Sequence, residues 1–165
     1  MSDNKKDVIL IVEDDVLTKA FYKAAFRASN AEVEIEIVDT IKVAIQKVNE
    51  LGDRLRVIIH DGTVLDGEVE DFINKAPKDL KKRIEAGLTE FIIYTARPEN
   101  KRQTLINFMN ENKFCMPGQE PAIFFKPNDT YKVIEKALEF VQTIRQGIDG
   151  VKINRMGSEF NVRKK

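Results

Sequence analysis

Residues 8–15 read VILIVEDD, an apolar run that ends abruptly in three acids. A continuous run rich in β-branched residues is typical of a strand covered on both faces. Four more short runs follow it along the chain: VEIEIV (33–38), RVIIHD (56–61), FIIYT (91–95) and AIFFK (122–126). The segments between the runs carry apolar residues at helical spacing. This alternation predicts an α/β fold, with a five-stranded parallel sheet flanked by five helices.

The helical segments add more specific expectations. In the first helix, apolar residues recur at helical spacing and form one apolar face: Leu17, Ala20, Phe21, Ala24 and Ala25. In the second helix, Asp39 is expected to be the N-cap and Gly52 to end the helix. The third helix is expected to lie between RVIIHD and FIIYT, interrupted by a proline at position 77.

Length and composition limit the domain organisation and the classes of partner. A chain of 165 residues and 18.9 kDa has the size of one domain, predicted at 6–146, with a C-terminal tail at 147–165. Acidic and basic residues number 27 each, so the net charge is +0 and we expect neither direct nucleic-acid binding nor membrane binding. One cysteine and one histidine cannot form a disulfide framework or a His/Cys zinc site. The lone thiol and the absence of a signal-like segment predict a cytoplasmic protein.

Polar side chains follow the apolar runs at their carboxyl ends. They are Glu13 and Asp14 after the first run, Asp61 after the third, Thr95 after the fourth and Lys126 after the fifth. The carboxyl ends of parallel strands meet at one edge of a sheet, so we expect these groups to lie together. Clustered carboxylates repel one another unless a hard cation such as Mg²⁺ neutralises them, with Asp14 and Asp61 as ligands and Glu13 acting through water. Lys126 and Thr95 could then hold a phosphoryl group while Asp61 acts as the nucleophile.

The motifs ILIVEDD, IIHDG, YTA and FFKP, in that order, resemble the strand-end motifs of the receiver domains of two-component response regulators, the chemotaxis receiver among them. The resemblance covers roughly residues 6–146. It implies a flavodoxin-like three-layer sandwich with strand order 2-1-3-4-5. It also implies the roles of the site residues: Asp61 as phosphoacceptor, Glu13 and Asp14 as the acidic pair, Thr63 as a metal ligand through its backbone carbonyl, Thr95 as the switch hydroxyl and Lys126 as the phosphate contact.

The predicted function is therefore that of a receiver that takes a phosphoryl group on Asp61 from a histidine kinase or phosphotransfer protein. It would signal through a downstream protein or by self-association, and would catalyse only its own phosphorylation and dephosphorylation. One alternative is a phosphatase of the haloacid dehalogenase type, but its first aspartate would fall at Ile59, which cannot attack phosphorus. A second alternative is an interaction module that is never phosphorylated. The presence of Ile123, where receivers usually carry an aromatic switch residue, favours that alternative.

Two expectations concern residues outside the site. His60 should face a helix and take no part in phosphate chemistry, because neighbouring strand residues point to opposite sides of a sheet. Without an aromatic residue at position 123, the output signal should pass through residues 95–122. In that segment Phe114, Cys115 and Met116 are expected to offer apolar contact area to a partner, although a place in the core is the safer expectation for them.

Overall fold

The structure is a computed structural model that describes the backbone of residues 5–162 and the side chains of residues 5–147. Almost all of the predicted tail, 147–165, lies outside the described side chains, so its boundary with the domain stays a prediction. Within the described part of the chain, no helix is both long enough and apolar enough to cross a membrane.

Five parallel strands form the main sheet. They are β1 (Val8–Val12), β2 (Glu34–Val38), β3 (Leu55–Asp61), β6 (Glu90–Thr95) and β7 (Ala122–Phe125). Their order across the sheet is β2-β1-β3-β6-β7, and every neighbouring pair is parallel. Counted among these five strands alone, the order is the predicted 2-1-3-4-5. The remaining two strands, β4 (Thr63–Val64) and β5 (Gly67–Glu68), form a small antiparallel hairpin after β3 that the apolar pattern did not predict.

The described residues form six α-helices, so the prediction of five was wrong. The helices are α1 (Val16–Ala28), α2 (Ile41–Leu51), α3 (Val69–Lys75), α4 (Lys78–Glu85), α5 (Arg102–Glu111) and α6 (Thr130–Val162). The extra helix arises because Pro77 divides the segment between β3 and β6 into α3 and α4. Proline has no backbone N–H and disfavours helical geometry in the residue before it, and Ala76 is indeed extended.

Each face of the sheet is covered by its own hydrophobic cluster. On one face, Leu10 and Ile58 pack with α2 to α5, and on the other, Ile9 and Val57 pack with α1 and α6. All five residues of β1 are consequently buried. This three-layer arrangement is the predicted sandwich, and it explains why β1 reads as an unbroken apolar run.

The predicted apolar face of α1 is confirmed only in part, because Phe21 and Ala25 pack against the core and are partly buried. The buried residues are Tyr22 and Phe26, whereas Leu17 is 80% exposed and Ala20 and Ala24 are exposed too. The two rings stack with their centroids 6.3 Å apart, and an aromatic pair buries far more apolar area than the alanines could. Tyr22 and Phe26 therefore form the most deeply buried part of α1.

The start of α2 also differs from the prediction. Thr40 is the N-cap, because its hydroxyl accepts a hydrogen bond from the backbone N–H of Val43 at 3.2 Å. Asp39 forms an ion pair with Lys19 at 2.8 Å instead. The end of α2 is as predicted, because Gly52 is the C-cap with a φ of 52°, a left-handed conformation that favours glycine.

Candidate functional site

The three acids after β1 have three different environments. Glu13 is 1% exposed, and one of its carboxylate oxygens accepts a hydrogen bond from the backbone N–H of Asp15 at 3.1 Å. Asp15 caps α1, because its Oδ2 accepts from the backbone N–H of Thr18 at 2.8 Å. Among the residues that the structure describes, the Asp14 carboxylate forms no hydrogen bond or ion pair, so both of its oxygens are available to a cation.

Asp61 ends β3, the neighbour of β1, and completes an acidic cluster. One carboxylate oxygen each from Glu13, Asp14 and Asp61 lies within 4.8 Å of the others. The Lys126 ammonium reaches into this cluster from the end of β7. Its Nζ lies 2.8 Å from Oε2 of Glu13 and 3.3 Å from Oδ2 of Asp61. The parallel sheet therefore brings together four of the predicted site residues from three separate strands.

The cluster is electrostatically unfavourable for one of its members. Burial and, to a smaller extent, the charge of Asp61 raise the pKa of Glu13 to about 7, although the hydrogen bond and charge of Lys126 oppose the rise. Burial disfavours the charged form of Lys126, but hydrogen bonds and ion pairs with Glu13 and Asp61 outweigh that and raise its pKa. A divalent cation binding here would displace the Glu13 proton and relieve the repulsion. These carboxylates fit the oxygen ligands that Mg²⁺ prefers.

Thr95 lies at the end of β6, next to Gly62, the residue that follows Asp61. Its side chain is buried, and its hydroxyl accepts a hydrogen bond from the backbone N–H of Arg97 at 3.0 Å. A Cβ atom built on Gly62 would lie only 2.2 Å from the Thr95 Oγ1. The backbone N–H of Gly62 in turn donates to Oδ1 of Asp61 at 2.7 Å. Glycine at position 62 thus allows the hydroxyl to sit beside the predicted phosphoacceptor.

No protein-family model and no curated protein matches the chain. Solved structures do match it. A signal receiver domain from Vibrio parahaemolyticus is 20% identical with a TM-score of 0.60, over 89% of this chain and 97% of that one. A response regulator from Thermotoga maritima is 12% identical with a TM-score of 0.56, over 84% and 99%. A co-crystal structure from Saccharomyces cerevisiae, of a response regulator's receiver domain with a histidine phosphotransfer protein, is 17% identical with a TM-score of 0.59, over 82% and 88%.

This chain has the receiver-domain fold. Its strand order, its sheet and the edge at which the acids meet are those that the resemblance implied. At these identities the likeness concerns the fold, so the roles of the site residues depend on their own geometry. That geometry also bears on the phosphatase alternative. Ile59, where such an enzyme needs its nucleophile, is a buried apolar residue in the middle of β3.

Arg97 is a site residue that the sequence analysis missed. Its Nη2 donates to the backbone carbonyl of Gly62 at 3.0 Å and to Oε2 of Glu68 at 3.1 Å. Its Nη1 donates to Oε2 of Glu70 at 3.1 Å. The only available signal was its position two residues after Thr95, since the side chain's partners are 27 to 35 residues away.

The hairpin of β4 and β5 follows Asp61 in the chain and has its own anchor. Asp66, at its turn, accepts hydrogen bonds from the backbone N–H groups of Ile41 and Lys42 at 2.7 and 3.1 Å, which ties the hairpin to the N-terminus of α2. Such a carboxylate also complements the positive end of the helix dipole. Thr63 lies in β4 with an exposed side chain, and its carbonyl as a metal ligand stays a prediction.

The expectation that His60 faces a helix is confirmed. The ring is fully buried and lies away from the acids, against the rings of Phe72 and Phe91 at centroid distances of 5.0 and 6.2 Å. Burial lowers the pKa of His60 to about 4, so the imidazole is neutral at physiological pH. The imidazole ring belongs to the hydrophobic core.

The expectation that Phe114 offers contact area to a partner was wrong, and the safer expectation of a core residue is confirmed. The ring is fully buried and packs edge-on against Phe91 with the centroids 4.7 Å apart. The segment 111–122 therefore completes the core under α3 and β6. Any output surface in this region must use other side chains.

Exposed apolar side chains lie at the starts of α1 and α6. Val16 and Leu17 follow the acids of β1 and are 74% and 80% exposed, and Tyr131, near the start of α6, is 76% exposed. The Phe21 ring joins the two helices by packing edge-on against Tyr131 at 5.7 Å. We call these four residues the apolar rim. A cluster of this kind next to a polar site is typical of a surface that binds a protein.

Proposed function

We propose that this chain is a response regulator receiver that accepts a phosphoryl group on Asp61 from a histidine kinase or a phosphotransfer protein. The observation that carries the proposal is the position of the Asp61 carboxylate, which lies among two further acids and 3.3 Å from the Lys126 ammonium. A carboxylate in that setting has a cation site on one side and a fixed positive charge on the other. The fold is that of proteins with a signalling role, which favours a signalling domain over an enzyme that turns over an external substrate.

The reaction follows from the groups present. An oxygen of Asp61 attacks the phosphorus of a phosphohistidine, the P–N bond breaks, and its electron pair returns to the imidazole. The product is an acyl phosphate, which water later hydrolyses to restore the carboxylate. Glu13, Asp14, Asp61 and the Thr63 carbonyl would hold Mg²⁺, which would neutralise the acids and the phosphoryl oxygens when bound. The Lys126 ammonium and the Thr95 hydroxyl would stabilise charge on the equatorial oxygens.

The apolar rim supports a protein as the phosphoryl donor. A donor that presents a phosphohistidine on a folded surface has to approach the acids from outside, across Val16, Leu17 and Tyr131. Burying such side chains in a contact is favourable by about 25 cal/mol for each Å² removed from water. One of the structural neighbours was solved together with a histidine phosphotransfer protein, which is consistent with a donor of that class.

The output is proposed to begin at Thr95. Once the hydroxyl engages the phosphoryl group, the loop that follows it should take a different position, and a downstream protein or a second copy of the chain would select that arrangement. The residue at position 123, in β7, is a buried isoleucine. Because isoleucine has no ring, the rotation of an aromatic side chain cannot report the change at that position. We expect amide exchange on phosphorylation to change most in residues 95–122 and little in residues 33–52.

Intact mass spectrometry tests the proposal directly. Wild type and Asp61→Asn are incubated with acetyl phosphate or a phosphoramidate in the presence of Mg²⁺. We expect one added phosphoryl group on wild type and none on Asp61→Asn, because asparagine cannot form the acyl phosphate. A phosphoryl group that persists in Asp61→Asn would refute the assignment. Steady turnover of an external phosphate monoester would support the phosphatase alternative, and no uptake at all would support the inert module.

A further inference from the structure

Arg97 connects the two loops that border the phosphoacceptor. Its backbone N–H holds the Thr95 hydroxyl, and its guanidinium holds the carbonyl of Gly62, the residue next to Asp61. Its Nε would lie 3.3 Å from a Cβ atom at Gly62, which places the guanidinium on the same side of Gly62 as the Thr95 hydroxyl. The Arg97 guanidinium therefore already contacts Gly62, the residue next to the Asp61 carboxylate that would carry the phosphoryl group.

The present partners of Arg97 are more exposed than the Asp61 carboxylate. Its guanidinium forms ion pairs with Glu68 and Glu70, whose side chains are 57% and 31% exposed. The pair with Glu68 contributes little, because water screens it. The Asp61 side chain is only 13% exposed, so an ion pair formed there would be screened less.

The acidic cluster also lacks positive charge. Three acids are gathered there, and Lys126 is the one basic side chain among the described residues that lies within ion-pair distance of Glu13 or Asp61. A phosphoryl group on Asp61 would add further negative charge and three strong acceptor oxygens. A guanidinium group binds such an anion with two parallel hydrogen bonds. The ion pairs that Arg97 now forms with Glu68 and Glu70 offer no stronger interaction.

We propose that Arg97 is a phosphoryl-binding residue held in reserve by Glu68 and Glu70, and that it transfers its guanidinium to the phosphoryl group once Asp61 is modified. This inference rests on the proposed function. The Thr95 hydroxyl can accept from the Arg97 backbone N–H while it donates to a phosphoryl oxygen, so the two contacts are compatible. Glu68 and Glu70 then compete with the phosphoryl group for the Arg97 guanidinium. The strength of their ion pairs with Arg97 sets how tightly Arg97 binds the phosphorylated Asp61.

Beryllofluoride, a non-covalent mimic of the phosphoryl group, measures this competition. Its affinity is titrated at a fixed Mg²⁺ concentration for wild type, Glu68→Gln/Glu70→Gln, Arg97→Gln and the triple variant. The double glutamine variant should bind about tenfold more tightly, the effect expected of one charge-assisted hydrogen bond released for the ligand. Arg97→Gln should bind more weakly, and the triple variant should bind no more tightly than Arg97→Gln.

A matched control removes two acids at the opposite end of the sheet. Asp53 and Glu32 also pair with arginines, Arg83 and Arg145, and Asp53→Asn/Glu32→Gln should leave the affinity unchanged. Thermal melts confirm that each variant is folded. If Arg97→Gln does not fold, Arg97→Lys replaces it, because lysine keeps the charge and loses the planar fork.

The outcomes are distinguishable. Equal tightening with and without Arg97 would mean that the glutamates act only by long-range repulsion and would overturn the inference, as would unchanged affinity in the double glutamine variant. If wild type itself takes up neither beryllofluoride nor a phosphoryl group, the proposed function fails and this inference fails with it.

Discussion

Replacing Gly62 by alanine should strain the site at a single contact. The added Cβ would lie 2.2 Å from Oγ1 of Thr95 and 3.0 Å from its Cβ, whereas ordinary van der Waals contact begins at 3.4 Å. The φ of Gly62 lies outside the left-handed region, so an alanine is not penalised for its backbone conformation. Thr95 is buried at the end of β6 and cannot move into solvent. The cost is therefore that of forcing one extra atom into a packed position.

The expected magnitude is that of overpacking. Adding a methyl group to a filled position costs about 1–3 kcal/mol. That loss would lower the Tm of a chain of this size by roughly 2 to 10 °C. Thr95→Ala removes the closest atom, so the double variant Gly62→Ala/Thr95→Ala should be more stable than the sum of the two single effects, by about 1–2 kcal/mol.

Urea denaturation of wild type, both single variants and the double variant gives the four free energies of unfolding. Gly147→Ala is the matched control, because a Cβ there meets no atom within 4 Å. It should leave stability unchanged or raise it slightly, since alanine favours the helix. Beryllofluoride affinity should fall in Gly62→Ala as it does in Thr95→Ala, because both displace the same hydroxyl. Additive stabilities in the cycle would refute the steric reasoning.

Four further predictions concern the rest of the molecule. Asp14→Asn should weaken Mg²⁺ binding about tenfold or more in calorimetry, and wild-type affinity should rise as the pH increases through 7, because Glu13 must lose its proton. Leu17→Glu should slow phosphorylation by a phosphotransfer protein in a gel-shift assay and leave the rate with acetyl phosphate unchanged. His60→Leu should flatten the acid side of the stability curve measured by urea denaturation. In wild type, His60 binds a proton at a higher pH in the unfolded chain than in the folded one, so about 3 kcal/mol of unfolding free energy is lost between pH 6.5 and 4. Phe114→Ala should cost about 3–5 kcal/mol of unfolding free energy by the same assay, because the ring is fully buried.

Each of these predictions has a contrary outcome, and the first two also have a control variant. Asp53→Asn, at the far end of the sheet, should not alter Mg²⁺ binding, and Mg²⁺ affinity independent of both Asp14 and pH would place the cation elsewhere. Leu88→Glu should not slow protein-dependent phosphorylation, and equal slowing with both donors in Leu17→Glu would remove the apolar rim from the donor contact. An unchanged acid limb in the His60 variant would mean that the ring is not the group that titrates. A nearly neutral Phe114→Ala would contradict its place in the core.

Much of the fold could be predicted because a buried parallel sheet leaves a strong local pattern. The run at 8–12 coincides with β1, since all five of its residues are buried in a sheet that is covered on both faces. The end of α2 at Gly52 follows from the need for a left-handed C-cap. The meeting of Asp14, Asp61 and Lys126 could also be predicted, because parallel strands place their carboxyl ends at one edge whatever the loops do.

Local pattern was insufficient where two arrangements satisfy the same periodicity. The buried face of α1 depends on what α6 and β2 present to it, so Tyr22 and Phe26 are buried and Leu17 is left in solvent. The core position of Phe114 depends on the rings of Phe72 and Phe91, which lie far from it in the chain. Periodicity specifies that a helix has an apolar side, but the neighbouring elements decide which side is covered.

The amino-acid sequence by itself therefore determined the strand runs, their parallel pairing and the acids, hydroxyl and amine at the strand ends. Only the tertiary structure decided what Arg97 and Gly62 do. Arg97 finds its carboxylates 27 and 29 residues away, and Gly62 is constrained by a hydroxyl from another strand. Ion pairing and steric overlap act over a few ångströms of space, and the distance between such residues is set by how strands and helices pack, which no local spacing encodes.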